Sequence, residues 1–156
     1  MVSTPVIEGE VAVRGRRVAV VAARFNDFIV ASLLKGAVAA WVERGGHAED
    51  LLVARVPGAF ELPVVARKLA LDSRYAAVVA LGCVIRGDTP HFDYVAGECA
   101  RGLQLAGLES GKPVIFGVLT VETVEQALER AATSAGNKGG EAMLAALEMA
   151  DLMARL

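Results

Sequence analysis

The residues best suited to chemistry lie where an apolar run ends at Val84 and a helical pattern begins. Thr89 is a favoured residue at a helix N-cap and Pro90 is tolerated at the first helical position, so we expect a helix to start here. Gly87 precedes this start, and the free N–H groups of a helix N-terminus attract anions. His91 follows one turn into the predicted helix, and histidine exchanges protons near neutral pH. An anion cradle beside a proton shuttle indicates a phosphorylated substrate.

The elements that must position these residues alternate between apolar strands and helical patterns. Because the strands are apolar throughout, we predict a parallel sheet covered on both faces. The predicted fold is α/β, a three-layer α-β-α sandwich of flavodoxin-like type with a four-stranded parallel sheet, in one domain of residues 1–156. We also expect an N-terminal edge strand at 9–13, paired within the subunit or joined to a neighbouring one. The predicted strands are 18–23, 51–56, 76–84 and 113–119, and the predicted helices are 27–44, 59–72, 91–109, 122–133 and 138–155.

Composition points to a subunit interface. Hydrophobic residues make up 54% of the chain and aromatic residues only 5%, so aliphatic side chains dominate. A monomer of 156 residues would leave much of that surface in water. In the last helix the polar residues Glu141, Glu148, Asp151 and Arg155 form a narrow stripe, which leaves a wide apolar arc. That arc predicts either a subunit contact or a helix buried deeply within one subunit.

Several classes of protein are disfavoured. The net charge of −2 with interspersed signs gives no reason to expect nucleic acid or an anionic membrane as partner. The longest apolar run, 75–85, is too short to span a membrane, and no secretory signal is visible. The two cysteines form no CxxC pair, which favours a reduced, cytoplasmic protein without a metal site or disulfide framework. The basic cluster at 14–17 is expected to be a solvated strand edge.

Candidate binding groups follow the predicted strands, because ligands of parallel α/β sheets bind at the carboxyl ends of strands. Phe25 offers a ring face to a planar heterocycle, with an ordinary core aromatic as the alternative. Asn26 can donate and accept hydrogen bonds or simply cap a helix. Glu61 suits ligand hydroxyls, but its carboxylate is also favourable against a helix dipole without any function. For His91 the alternative is a structural, non-catalytic histidine, and for Arg130 it is an ordinary exposed cation.

Six blocks of residues in register carry a resemblance to one family. The chain resembles the 6,7-dimethyl-8-ribityllumazine synthases over about residues 9–155. The blocks are Arg-Phe-Asn at 24–26, Val-Pro-Gly-Ala-Phe-Glu at 56–61, Val-Ile-Arg-Gly at 84–87 with Thr89, His-Phe-Asp-Tyr-Val at 91–95, Phe-Gly-Val-Leu-Thr at 116–120, and Glu-Gln-Ala-Leu-Glu-Arg-Ala at 125–131.

The resemblance implies a transferase of riboflavin biosynthesis. Enzymes of that family condense 5-amino-6-(D-ribitylamino)uracil with 3,4-dihydroxy-2-butanone 4-phosphate and release phosphate and water. This is the penultimate step of riboflavin synthesis and requires neither a cofactor nor a metal. The resemblance also implies homo-pentamers, often twelve of them in an icosahedral shell of sixty subunits that can enclose riboflavin synthase. The short, uninserted join at 133–139 favours the shell.

The resemblance further implies roles for individual residues. His91 would transfer protons, and Phe25 would stack on the pyrimidine. Asp88 places an acid in the phosphate loop, so we expect its side chain to point outward. Phe116, Arg130 and Lys138 would come from the adjacent subunit. The pyrimidine and ribityl chain would be held by Phe25, Asn26, Gly58, Ala59, Phe60, Glu61, Cys83, Val84, Ile85, Phe116 and Lys138, and the phosphate by Gly87, Asp88, Thr89 and Arg130.

Three rival functions are distinguishable from the sequence. A non-enzymatic lumazine- or flavin-binding shell protein should have lost His91, Arg130 or Glu61, and all three are present. A pentameric riboflavin synthase would have no use for the phosphate loop, because its substrate carries no phosphate. A flavodoxin-like electron carrier would bind a flavin tightly as purified.

Overall fold

A computed structural model describes residues 3–133 and 136–156 of the chain. Within them, four strands alternate with five α-helices, and two short 3-10 turns, Ala48–Asp50 and Ala59–Glu61, precede the second strand and the second helix. The elements are β1 (Val18–Ala23), α1 (Asp27–Glu43), β2 (Leu51–Val56), α2 (Leu62–Leu71), β3 (Ala77–Ile85), α3 (His91–Ser110), β4 (Val114–Val121), α4 (Val124–Arg130) and α5 (Lys138–Arg155).

The predicted boundaries of β1, β2 and α5 are confirmed, those of α1, β3 and α3 differ by one residue at one or both ends, and the remaining three differ more. β4 runs to Val121, two residues further than predicted, where it pairs with Ile85 at the end of β3. The second helix begins as a 3-10 turn and becomes α-helical only at Leu62. The fourth helix is shorter than predicted at both ends. At its start Thr123 caps it by accepting a hydrogen bond from the backbone N–H of Gln126.

The sheet is parallel throughout, with the strand order β2-β1-β3-β4. Every residue of β1 and all but the last of β3 are buried, as expected for strands covered on both faces. Alternate residues of β1 face different cores: Val18 and Val20 lie in a core with α1 and α5, whereas Ala19 and Val21 lie in one with α2 and α3. The three-layer, flavodoxin-like fold is therefore confirmed.

The expected N-terminal edge strand is not formed within the subunit. Residues 9–13 have no strand partner in the described chain and instead cross α5. The crossing is close at Gly9, where a Cβ would overlap the backbone carbonyl of Glu148. The backbone N–H of Glu10 donates to Asp151 at 2.8 Å rather than to a neighbouring strand. Pairing with a neighbouring subunit stays a prediction.

Asp151 is a buried acid that corrects one sequence expectation. It belongs to the polar stripe of α5, yet its exposed fraction is only 2%. Its carboxylate accepts hydrogen bonds from Arg14 at 2.7 Å, Arg16 at 3.1 Å and Arg155 at 2.9 Å. The basic cluster at 14–17 is therefore not merely a solvated edge, because two of its arginines bind a buried acid and hold the N-terminal segment against α5.

The start of α5 is fixed by close contact with α1. Asn137 caps α5 by accepting a hydrogen bond from the backbone N–H of Gly140, and its amide donates to the carbonyls of Ser32 and Ala131. At Gly139 the helices approach so closely that a Cβ would overlap the backbone of Leu33. One face of α5, with Met143 and Leu147, is thus buried within the subunit, whereas Met153 is exposed, and both alternatives for its wide apolar arc stay predictions.

Large apolar side chains remain exposed on several surfaces, including Val6, Val64, Leu108 and Leu128. The expected subunit interface stays a prediction. The join at 133–139 includes residues 134 and 135, which lie outside the described residues. Among the helices described, none combines the length and apolarity needed to cross a membrane.

Candidate active site

An open cleft of about 850 Å³ lies at the carboxyl ends of β1, β2 and β3. This is the switch point of a flavodoxin-like sheet, where β1 and β3 lead to helices on opposite faces. It contains every predicted site residue except Asp88, Phe116, Arg130 and Lys138. The cleft is lined by Phe25, Asn26, Pro57, Gly58, Ala59, Phe60, Glu61, Cys83, Val84, Ile85, Gly87, Thr89, His91, Phe92, Tyr94 and Val95.

The wall after β1 presents an aromatic ring on a rigid turn. The backbone N–H of Phe25 donates to the carbonyl of Pro57 at 2.9 Å, which joins this turn to the one after β2. Asn26 adopts a left-handed conformation with φ of 61°, and asparagine tolerates that region better than most residues. Its side chain does not cap α1 but donates to the carbonyl of Cys83 at 2.9 Å. Phe25 is consequently 71% exposed to the cleft and solvent, not an ordinary core aromatic.

The wall after β2 brings a carboxylate and a second ring to the cleft. Phe60 is exposed, while Ala59 is buried beneath it. Glu61 is the N-cap residue of α2 but makes no side-chain capping hydrogen bond. Among the described residues no cation pairs with its carboxylate, which therefore remains able to accept hydrogen bonds from ligand hydroxyls. A Cβ at Gly58 would lie 3.3 Å from this carboxylate, so the backbone there passes close to it.

The floor of the cleft is the end of β3. Cys83 is buried, and this burial raises the pKa of its thiol to about 11. The thiol is thus neutral at physiological pH and unsuited to act as a nucleophile. Val84 and Ile85 continue the floor toward the loop that follows. The floor offers apolar surface and backbone groups rather than a reactive side chain.

The loop between β3 and α3 carries the predicted anion site. Gly87 and Thr89 line the cleft, whereas Asp88 is exposed and does not. The helix begins at His91, as its predicted bounds have it, but its N-cap residue is Pro90 rather than Thr89, so His91 is the first helical residue and not one turn further in. The Thr89 hydroxyl accepts a hydrogen bond from the backbone N–H of His91 at 3.4 Å. The imidazole is exposed at the helix N-terminus, beside the loop amides.

The remaining three predicted residues line a second cleft. It measures about 400 Å³ and runs along β4, the strand at the sheet edge, against the start of α5. Phe116, Arg130 and Lys138 all line it, and the two clefts share no lining residue. The Lys138 ammonium pairs with Glu141 at 2.9 Å. One chain therefore holds two separate parts of the predicted site.

Sequence reasoning missed several lining residues of the main cleft. Phe92, Tyr94 and Val95 lie on the first turn of α3, one helical turn or less from His91. Helical periodicity identifies Tyr94 and Val95, since positions three and four residues apart share a face, whereas Phe92 is simply the neighbour of His91. Pro57, in the turn after β2, also lines the cleft, although the sequence did not assign it to the site.

The family model and two relatives that match this chain carry the same name. A family model described as 6,7-dimethyl-8-ribityllumazine synthase matches residues 15–154. A protein of that name from Syntrophus aciditrophicus (strain SB) is 51% identical over 97% of this chain and 98% of its own length. Another from Nitratidesulfovibrio vulgaris (strain DSM 19637 / Miyazaki F) is 52% identical over the full length of both chains. The chain belongs to the 6,7-dimethyl-8-ribityllumazine synthase family.

Proposed function

We propose that this chain condenses 5-amino-6-(D-ribitylamino)uracil with 3,4-dihydroxy-2-butanone 4-phosphate to form 6,7-dimethyl-8-ribityllumazine, as a transferase of riboflavin biosynthesis. Membership of the family supports the reaction. The observation that carries the proposal is the main cleft, which combines an exposed ring, an unpaired carboxylate and a helix N-terminus with a histidine. These groups suit a heterocycle, a polyol and a phosphate respectively.

The residues of the main cleft take the roles that their positions allow. Phe25 stacks on the pyrimidine ring, and the Glu61 carboxylate accepts hydrogen bonds from ribityl hydroxyls. Asn26, Gly58, Ala59, Phe60, Cys83, Val84 and Ile85 complete the pocket for the ring and its chain. Gly87 and Thr89 hold the phosphate at the N-terminus of α3, and Asp88 contributes its backbone N–H while its carboxylate stays in solvent.

The chemistry begins as the amine of the pyrimidine attacks the ketone, and loss of water gives a Schiff base. A proton is then lost from the carbon next to the imine, and phosphate leaves as its C–O bond breaks. After tautomerisation of the resulting enol to a ketone, the ribityl-bearing nitrogen attacks that carbonyl, and loss of a second water closes the ring of the lumazine. His91 transfers protons during these steps from the wall of the cleft. Because both reactants are intrinsically reactive, holding them together contributes most, and such positioning can supply about 7–11 kcal/mol.

The active site is completed by an adjacent subunit. Arg130 and Lys138 line the second cleft, away from His91 in the same chain. In the proposed homo-pentamer this second cleft faces the main cleft of the neighbour. Arg130 then closes on the phosphate, while Phe116 and Lys138 reach the ring. Exposed apolar side chains such as Phe60 and Phe116 become covered by this contact.

The N-terminal segment supports a second contact between subunits. Val6 and Ile7 are exposed, and the edge strand β2 exposes Leu52 and Val53. Unpaired strand edges readily accept another chain, so we propose that the N-terminal segment of one subunit pairs with β2 of the next. The short α4–α5 join in the sequence favours twelve pentamers in an icosahedral shell, for which riboflavin synthase is the expected enclosed partner. The buried, unbridged cysteines suit a reducing cytoplasm.

A turnover assay tests the function. Purified protein is incubated with both substrates, and inorganic phosphate and the fluorescent lumazine are followed together against a protein-free control. We expect equal release of both products, well above the control. Tight binding of lumazine without acceleration would contradict the proposal and indicate a binding shell that has lost catalysis.

A further inference from the structure

Arg86 contacts the end of β4, the turn that follows it and the first turn of α3. It follows β3 directly and precedes the phosphate loop, and its backbone N–H donates to the carbonyl of Val121 at 2.9 Å. Its Nε donates to the Glu122 carboxylate, which follows β4, at 2.8 Å. A second guanidinium nitrogen lies 3.4 Å from the Asp93 carboxylate in the first turn of α3. The guanidinium carbon lies 4.4 Å from the centroid of the Phe92 ring.

These contacts fix the start of α3 relative to the sheet. Phe92 and Asp93 immediately follow His91, so holding their side chains also sets where the imidazole lies. The loop itself offers little rigidity: the only side-chain hydrogen bond found within 87–91 of the described chain is the long one from His91 to Thr89. Glu122 is a firm anchor, because its backbone N–H donates to the Gln126 side chain at 2.7 Å.

The charge around Arg86 argues against a direct role in binding phosphate. Two carboxylates, those of Glu122 and Asp93, already face its guanidinium. Arg86 is also absent from the residues that line either cleft, although Phe92 beneath it lines the main one. A planar guanidinium can pair with carboxylates and stack on a ring simultaneously, and a lysine ammonium cannot reproduce that geometry.

We propose that Arg86 is a positioning residue, which holds His91 and the loop of Gly87 to Thr89 in reacting geometry without touching substrate. The proposal rests on the proposed function for its kinetic consequences. A displacement of about 1 Å at a reacting group can cost about a hundredfold in rate. Loss of Arg86 should therefore lower kcat, and not only weaken the binding of the phosphorylated ketone.

The kinetic test compares Arg86→Gln and Arg86→Lys with a matched control, Arg101→Gln. Arg101 is an exposed residue of α3 that also donates to a carboxylate, that of Glu98 at 2.9 Å, but it lies well beyond the first turn of the helix. We expect Arg86→Gln to lower kcat by about ten- to a hundredfold, with the KM of the pyrimidine unchanged. Arg86→Lys should recover only part of the loss, and Arg101→Gln should match the wild type.

Two kinetic outcomes would overturn the proposal. A rise in the KM of the phosphorylated ketone alone, with kcat intact, would make Arg86 a phosphate ligand. Wild-type kinetics in Arg86→Gln would remove its role altogether. Thermal melts and assembly size accompany each variant, so that a folding defect is recognised.

A third measurement tests the positioning role of Arg86 independently of whether the protein has the proposed enzymatic activity. Backbone amide hydrogen exchange reports local opening without any substrate. In Arg86→Gln, amides between Gly87 and Asp93 should exchange faster, while those of α5 stay unchanged. Unchanged exchange at 87–93 would contradict the proposal. If the wild type shows no turnover, the function fails, and this exchange measurement still decides the role of Arg86.

Discussion

Replacement of Gly139 by alanine tests the packing that places the second cleft. Gly139 lies in the first turn of α5, directly after Lys138, where α5 passes over α1. An added methyl group would overlap the backbone carbonyl of Leu33. Because backbone atoms cannot rotate away as a side chain can, α5 must move outward, and Lys138 must move with it.

The expected loss of stability in Gly139→Ala is the difference between two opposing effects. Overpacking usually lowers the free energy of unfolding by about 1–3 kcal/mol. For a clash between two helix backbones we take the upper value, about 3 kcal/mol. Alanine is favoured over glycine in a helix by about 1 kcal/mol. The net loss is therefore about 2 kcal/mol, which for a chain of this size lowers Tm by about 4–8 °C.

Thermal melts of the wild type, Gly139→Ala and Gly107→Ala measure this difference at equal subunit concentration. Gly107, which lies within α3, is the matched control. A Cβ there would meet its nearest neighbours, Lys112 and Val114, at ordinary van der Waals distance. We expect Gly107→Ala to cause no loss and to gain up to about 1 kcal/mol. Equal melting temperatures for Gly139→Ala and Gly107→Ala would refute the argument that close backbone contact fixes α5.

Three further predictions concern the site and the Asp151 cluster. His91→Ala should slow turnover about 10²–10⁴-fold without abolishing it, because positioning survives; complete loss in a folded, assembled variant would show a larger role. Arg130→Ala should mainly raise the KM of the phosphorylated ketone, and an unchanged KM would remove Arg130 from the phosphate site. The backbone N–H of Glu10, followed by Arg155, Arg14 and Arg16, holds the pKa of Asp151 well below its usual range. The stabilisation that the wild type gains over Asp151→Asn should therefore be full above the unfolded pKa of about 4, and thermal melts should show it disappearing as pH falls through the lower native pKa. A difference that persists unchanged into strong acid would contradict this assignment.

The sheet and the main cleft were predictable because their signals are local. Continuous apolar runs identified β1 and β3, and the carboxyl ends of parallel strands necessarily meet at one edge. Phe25, Glu61 and His91 each follow a strand, so their proximity in one cleft follows from topology. The division of the site was accessible only through the resemblance, since Arg130 looks like any exposed cation in the sequence.

The errors come from partners that are distant along the chain. Asp151 appeared only as one polar residue of the α5 stripe, because helical periodicity does not reveal that Arg14 and Arg16 reach it from the other end of the chain. For the same reason residues 9–13 looked like a strand, although they lie across α5. The role of Arg86 also depends on Glu122, which topology brings beside it from the end of β4.

Co-assembly of two defective variants tests the shared active site most directly. His91→Ala and Arg130→Ala subunits are co-expressed in equal amounts, and turnover is measured at low concentrations of the phosphorylated ketone. If each site takes His91 from one subunit and Arg130 from its neighbour, random mixing restores about a quarter of the sites to the wild-type combination. We therefore predict activity near a quarter of wild type, far above either variant alone. Activity no greater than the mean of the two variants would contradict a site built between subunits.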